Sequence, residues 1–243
     1  MIDVFLLFIE DYNLNVLQEY RKYLSADEIV TMGKFAFQKD RDQYLLTRAM
    51  VRKVVSQRTG RHFSSLQFEN NLYGKPKLKD TSAAISFNVS HTSGLIALAF
   101  SECTAGIGVD IENTSRDIDL EIRDSFFTAQ ELLIYEEVPE ADKKNYFFEL
   151  WTLKESYMKA IGKGFSISPR SFGFKRISNS QYNFRENQLE SVPGEFRFHL
   201  TDIVPFYKLA ICYSNGSLIL AIHRVLPGWE IADLEVSRSV NIL

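Results

Sequence analysis

The chain has 243 residues, 45% hydrophobic and 24% charged, an ordinary globular balance with room for one large domain or two small ones. With 28 basic and 31 acidic residues its net charge is −3, which excludes the strongly basic signature of a nucleic-acid or anionic-membrane binder. The two cysteines, Cys103 and Cys212, are too few for a disulfide framework and lack metal-ligand spacing, so both read as buried, reduced thiols.

In chain order, the apolar run Val4 to Ile9 is too short to span a bilayer and has no basic flank or cleavage site. It reads as a buried first strand of a soluble, cytoplasmic protein. Residues 16–32 carry a helical apolar pattern, with Leu17, Tyr20, Leu24 and Ile29 on one side. The longest predicted helix covers 38–59, with Tyr44, Leu45, Met50, Val51, Val54 and Val55 apolar and Gly60 as its stop. Its basic residues, Arg41, Arg48, Arg52, Lys53 and Arg58, read mostly as a solvated face. A short strand at 66–70 precedes the turn-rich Asn71-Leu72-Tyr73-Gly74-Lys75-Pro76. Ile85 to Val89 and Leu95 to Phe100 read as strands joined by the turn Ser90-His91-Thr92-Ser93-Gly94, and Ile107 to Ile111 as another strand. A polar linker at 114–120 leads to helices at 121–136 and 143–161. From Ser168 onward the pattern is mostly strands, at 172–177, 195–200, 207–213 and 218–225. Gly60-Arg61-His62-Phe63-Ser64 is echoed by Gly162-Lys163-Gly164-Phe165-Ser166. Each follows a long helix and precedes strands, which suggests a duplicated α+β half.

Asp110 and Glu112 are i and i+2 on a strand and share a face, so their mutual repulsion asks for a cation or a proton. The flanking Gly106 and Gly108 allow close approach. Hard oxygen donors suit Mg²⁺, which keeps waters and binds phosphate; an exposed strand end is the other reading. Glu155 and Lys159 are i and i+4 on a helix and fit either a surface ion pair or a carboxylate and a phosphate-binding cation. Ser90-His91 fits an anion-binding turn or plain turn polarity, and is no nucleophilic dyad. No phosphate-binding glycine loop and no dinucleotide fingerprint is present.

The series Gly74-Lys75-Pro76, Phe87-Asn88-Val89-Ser90-His91, Gly108-Val109-Asp110-Ile111-Glu112 and Trp151-Thr152-Leu153-Lys154-Glu155-Ser156-Tyr157-Met158-Lys159 resembles the Sfp-type 4′-phosphopantetheinyl transferases. The likeness runs from the first strand to about Arg224, and Gly162-Lys163-Gly164 fits it as well. The resemblance implies an α+β fold of two similar halves with the active site in the cleft between them. The halves are expected at 1–105, on the coenzyme A adenine and 3′-phosphate side, and 106–243, on the metal and pyrophosphate side. It implies transfer of the 4′-phosphopantetheine arm of coenzyme A to a serine of an apo acyl or peptidyl carrier protein, releasing adenosine 3′,5′-bisphosphate. It further implies Mg²⁺ on Asp110, Glu112 and Glu155, pyrophosphate on Lys159, phosphate at Ser90-His91, and adenine and 3′-phosphate beside Gly74, Lys75 and Pro76. Glu155 is expected to act as general base and Lys159 to stabilise charge.

Glu28 and Thr31 stand where the family prototype has lysines, so Arg48 is the candidate for the 3′-phosphate. A carrier-docking patch at 114–140 would be rather acidic. A monomer is expected, without nucleic-acid or membrane partners. The rival reading, a catalytically silent coenzyme A- or carrier-binding module, leaves the converging carboxylates unexplained.

Overall fold

The computed structural model describes residues 1–79, 85–102, 106–178, 181–186, 195–203, 205–214, 220–234 and 238–242. Cys103 lies outside these residues. Cys212 is a fully buried free thiol.

Strand β1 (Ile2–Phe8) is buried along its whole length. Ile2, Val4 and Leu6 face one core, while Phe5 and Leu7 face another, which is why the segment reads as one apolar run rather than an alternating one. Two helices follow, α1 (Leu14–Tyr20) and α2 (Ala26–Gly33), where the apolar pattern predicts one. The break comes at Ser25. Its hydroxyl accepts from the Glu28 N–H while the Glu28 carboxylate accepts from the Ser25 N–H, a capping box that starts a second helix.

Helix α3 (Gln38–Thr59) takes the expected bounds and ends at Gly60, whose φ of +68° closes the last turn in the left-handed region. Its arginines are not a solvated face. Arg52 is buried, pairs with Glu28 at 2.7 Å, and donates to Phe63 O and Leu66 O. Arg58 pairs with Asp3. Burial of the Arg52 charge is tolerated because it finds an acidic partner and two carbonyl acceptors.

The short hairpin β2 (Phe68–Asn70) and β3 (Pro76–Leu78) is followed by β4 (Ser86–Thr92) and β5 (Leu95–Ser101). The second half repeats this plan. Strand β6 (Ile107–Asn113) leads through α4 (Arg123–Phe126) and α5 (Ala129–Glu137) to α6 (Glu140–Ile161). Then come β7 (Phe172–Ser178), β8 (Gln181–Glu186), β9 (Phe196–Ile203) and β10 (Tyr207–Ser214). Both α3 and α6 have 22 residues and end at a left-handed glycine, Gly60 or Gly162. The strand orders also correspond: β1-β5-β4 in one sheet, β6-β10-β9 in the other, antiparallel throughout. The glycine-phenylalanine-serine echo therefore marks a repeated α+β half.

The chain crosses back once. Strand β11 (Leu220–Val225) pairs parallel with β1, and β12 (Ile231–Asp233) pairs with β11. Residues 220–233 complete the first sheet although they lie inside the stretch expected as the second half, 106–243. Pairing covers the edge of β1 that β5 leaves open. Strand β13 (Arg238–Ile242) joins β9.

Three apolar cores result. One packs α1–α3 on the first sheet, and one packs α5 and α6 on the second. The third lies between the sheets, with Ile2, Val4, Leu6, Leu95 and Ala97 from one half and Ile107, Val109, Ile111, Leu209 and Ile211 from the other. No helix among the described residues is long and apolar enough to cross a membrane.

Candidate active site

The halves meet along β4 and β6 without a backbone ladder. Side-chain oxygens of Asn88, Ser90 and Thr92, at i, i+2 and i+4 on β4, accept from the backbone N–H groups of Val109, Ile111 and Asn113 on β6, at 2.9, 3.3 and 3.2 Å. These three amides of β6 are each met by a polar side chain, and for the buried Val109 and Ile111 amides such a bond left unmade would cost about 1–3 kcal/mol. The expected turn at Ser90-His91 is therefore corrected. Both residues lie in β4, and the hairpin closes on Ser93-Gly94, with Gly94 at φ +87°. Strand geometry sends the two side chains to opposite faces. Ser90 is buried against β6. His91 turns to α3, with its Nδ1 2.8 Å from Gln43 Nε2.

Along β6 the residues Gly108, Asp110 and Glu112 share the face on which α6 lies. A Cβ at Gly108 would overlap Ser156 O and Ala160 N of α6 and sit 2.9 Å from Ala160 Cα. Glycine is required here by contact between helix and strand. That contact brings Lys159 to Asp110: its ammonium donates to Asp110 Oδ1 at 2.7 Å and to Ser90 Oγ at 2.8 Å. Ser90 Oγ in turn donates to the same Asp110 oxygen at 2.9 Å. Lys159 thus pairs with Asp110 of its own half and reaches Ser90 across the seam, rather than pairing along its own helix with Glu155.

Asp110 is buried, and its Oδ2 has no hydrogen-bond partner. Glu112 is pushed up to about 7, first by burial and then by the Asp110 charge, while Arg116, 3.1 Å from its Oε2, and the Trp151 side chain act the other way. Glu155 is likewise pushed up to about 7 by burial and by Asp110, against the pull of Lys159. The His91 residue is exposed, yet partial desolvation of its ring and the Lys159 charge hold it below the usual imidazole range. Burial and the Asp110 charge thus raise the proton affinity of two neighbouring carboxylates, while one oxygen of buried Asp110 is free. Even so, among the described residues no three His, Cys, Asp or Glu side chains are gathered closely enough to form a preformed metal cage.

A cleft of about 240 Å³ runs from this cluster to the β2–β3 turn. It is lined by Gly74, Lys75, Pro76, Asn88, Glu155 and Lys159, among others. Larger hollows of about 520 and 490 Å³ lie among α1–α3 and beside α5, away from Asp110 and Lys159. The Lys75 ammonium does not reach into solvent. It donates to Ile107 O and Ala160 O at 2.8 and 3.0 Å, and burial brings it down to about 8.

Arg48 stands apart from the other expected site residues. Its guanidinium is held by Glu28, with Nε 2.6 Å from Oε1, and stacks over Phe68. Lys154, beside Glu155, is fully buried and pairs with Glu131 at 2.9 Å while donating to Pro169 O and Phe172 O. It ties α6 to α5 and β7. Trp151 stacks on Phe126 and Phe147. Further along α6, Glu149 is fully buried and accepts from Lys208 and from the Tyr182 hydroxyl. Asn88 lies inside the β4 motif but has no expected role there, and Thr92 and Gln43 carry no motif signal of their own. The i, i+2, i+4 polar alternation inside an apolar strand is the one sequence cue to the seam.

Two family models match consecutive parts of the chain: "4'-phosphopantetheinyl transferase, N-terminal" over residues 14–103 and "4'-phosphopantetheinyl transferase superfamily" over 106–212. The 4′-phosphopantetheinyl transferase Sfp of Bacillus subtilis is 30% identical over 201 residues, covering 82% of this chain and 85% of that protein. The 4′-phosphopantetheinyl transferase gsp of Aneurinibacillus migulanus is 32% identical over 174 residues, covering 72% and 69%. Among solved structures, a holo-(acyl-carrier-protein) synthase from Bacillus anthracis in complex with CoA (3′,5′-ADP) aligns over 47% of this chain and 98% of that chain. The TM-score is 0.40 and the identity 16%.

Proposed function

Because the chain belongs to the 4′-phosphopantetheinyl transferase superfamily, we propose that it transfers the 4′-phosphopantetheine arm of coenzyme A to a serine of an apo acyl or peptidyl carrier protein, releasing adenosine 3′,5′-bisphosphate. The observation that carries this reading is the convergence on Lys159. Motif residues from β4, β6 and α6 meet there through Ser90, Asp110 and Lys159, at the end of a cleft walled by Gly74, Lys75 and Pro76.

In this reading the adenine lies along the Gly74-Lys75-Pro76 wall and the pyrophosphate approaches Lys159. The ammonium leaves Asp110 Oδ1 for a phosphate oxygen and offsets the charge that builds as the serine attacks the β-phosphate. Gln43, donating to His91 Nδ1, leaves the Nε2–H of the neutral ring as a donor toward phosphate. Glu155, held in a desolvated place that raises its proton affinity, takes the serine proton through a water.

The residues fit a divalent cation. The donors are all oxygen, Asp110 Oδ2 is buried without a partner, and the mutual repulsion of the carboxylates is what a cation would relieve. Mg²⁺, which needs few protein ligands because it keeps waters and phosphate oxygens, would be held by Asp110, Glu112 and Glu155. When bound it would supply electrostatic stabilisation of the pyrophosphate oxygens. Recruitment of Arg48 by the 3′-phosphate requires it to leave Glu28, so the reading gives Arg48 a secondary part. Both cleft walls come from one chain, which supports a monomer, and a cytoplasmic location completes the reading.

The test is direct. The protein is incubated with coenzyme A, Mg²⁺ and an apo carrier protein, and the carrier is weighed by mass spectrometry. Gain of the phosphopantetheine arm on the carrier serine is the expected result. Carriers of several types left unmodified beside folded protein would overturn the proposal.

A further inference from the structure

The β2–β3 turn is fastened to the end of α6 by two side chains, neither of which presents its polar head to the cleft. Asn71 Oδ1 accepts from the Tyr73 and Lys75 N–H groups, each at 2.9 Å, and so shapes the turn. Its Nδ2 donates to Gly162 O at 2.7 Å, across the seam between the halves. These partners fix the amide orientation, since the oxygen faces two donors and the nitrogen an acceptor. Beside it, the Lys75 ammonium donates to Ala160 O and Ile107 O.

Ala160 and Gly162 stand at the C-terminal end of α6, where carbonyls lack partners within the helix and favour donors and cations. Gly162 has φ +73°, and a Cβ there would come within 2.8 Å of Lys75 Cδ and 3.1 Å of Asn71 Nδ2. The turn is seated on this glycine with no room for a side chain. Gly162 is three residues after Lys159, so one carboxamide ties the Tyr73-to-Pro76 wall to the helix that carries the cation.

We infer that Asn71 is a positioning residue for coenzyme A: it sets the spacing between the wall at residues 73–76 and α6, and hence the width of the cleft. The inference rests on coenzyme A occupying that cleft. In the proposed transfer the wall contacts the bound coenzyme A and supplies no group to the reacting atoms, so loosening it removes binding shared by ground state and transition state. That loss raises KM and leaves kcat in place. A purely structural role gives the opposite pattern, a smaller active fraction with an unchanged KM.

The test is Asn71→Asp, which keeps both turn acceptors and the side-chain volume but sets a carboxylate against Gly162 O. The parent is first titrated with coenzyme A by calorimetry. Thermal unfolding, KM for coenzyme A and kcat are then measured for parent and variant. The expected result is a melting temperature within a few degrees of the parent, a KM and Kd about tenfold higher, as for one uncompensated buried polar contact, and a kcat within about twofold. Asn71→Ser, which can cap the turn but cannot reach Gly162, shows the same split and stands in if the aspartate variant does not fold. An unchanged KM, or a fall in kcat alone, overturns the inference while leaving the proposed function intact. Failure of the parent to bind coenzyme A overturns both.

Discussion

Replacing Gly108 by alanine tests the contact on which the site is built. The added Cβ would overlap Ser156 O and Ala160 N and stand 2.9 Å from Ala160 Cα, where ordinary carbon contacts need about 3.5–4.0 Å. All three atoms are helix backbone, so no rotamer change can relieve the clash. Helix α6 or strand β6 must move by on the order of 1 Å. Overpacking of this kind costs about 3 kcal/mol, which in a chain of this size lowers the melting temperature by about 6–12 °C. The same shift separates Lys159 from Asp110 and Ser90, now at 2.7 and 2.8 Å, and a misplacement of about 1 Å costs roughly a hundredfold in rate. Denaturant unfolding and carrier modification, measured on the same preparation, read both effects. A variant within 1 kcal/mol of the parent that transfers at a third of its rate or better would refute the contact between strand and helix as the device that places Lys159.

Further outcomes follow from the charges. Glu155→Gln abolishes transfer with the fold kept. Because the folded carboxyl is pushed up to about 7 from an ordinary value of 4.5, the parent binds more protons folded than unfolded between those values, and this contribution to its stability is lost as pH rises through about 7. In chelator, the variant therefore gains on the parent by about 1–3 kcal/mol between pH 5 and pH 8; parallel unfolding curves at the two pH values would contradict it. Ser90→Ala removes the link among Asp110, Lys159 and the Ile111 N–H, with an expected loss of about 1–3 kcal/mol and about a hundredfold in turnover, read by denaturation and by carrier mass. Lys154→Met leaves Glu131 buried without its cation and costs about 3–5 kcal/mol, yet per folded molecule it transfers at the parent rate, since Lys154 faces α5 and β7. A selective loss of kcat in that variant would move Lys154 into the chemistry.

Local patterns carried much of the fold. The glycine stops of α3 and α6, the apolar run of β1 and the repeat of glycine, phenylalanine and serine depend on near neighbours, so a linear reading reaches them. The split between α1 and α2 was legible too, in Ser25 and Glu28, but the apolar period masked it. The bounds of the β4 hairpin were not, because Ser90, His91 and Thr92 look like turn residues until β6 supplies the amides that their strand satisfies. The arginines of α3 likewise read as solvated until α2 brings Glu28 beside Arg48 and Arg52.

By itself the sequence determined the chemistry available: Asp110 and Glu112 on one strand face, Glu155 and Lys159 one helical turn apart, and the motif order that marks the family. It left open whether Glu155 and Lys159 pair with each other. Tertiary structure decided that, because Gly108 lets α6 rest on β6 and Lys159 finds Asp110 and Ser90 within 2.8 Å. It also decided that Lys75 serves the end of α6 and that Arg48 serves Glu28. Short-range spacing is written in one segment, whereas the partner of a long, charged side chain depends on which distant segment the packing brings within reach and which buried groups would otherwise lack a hydrogen bond.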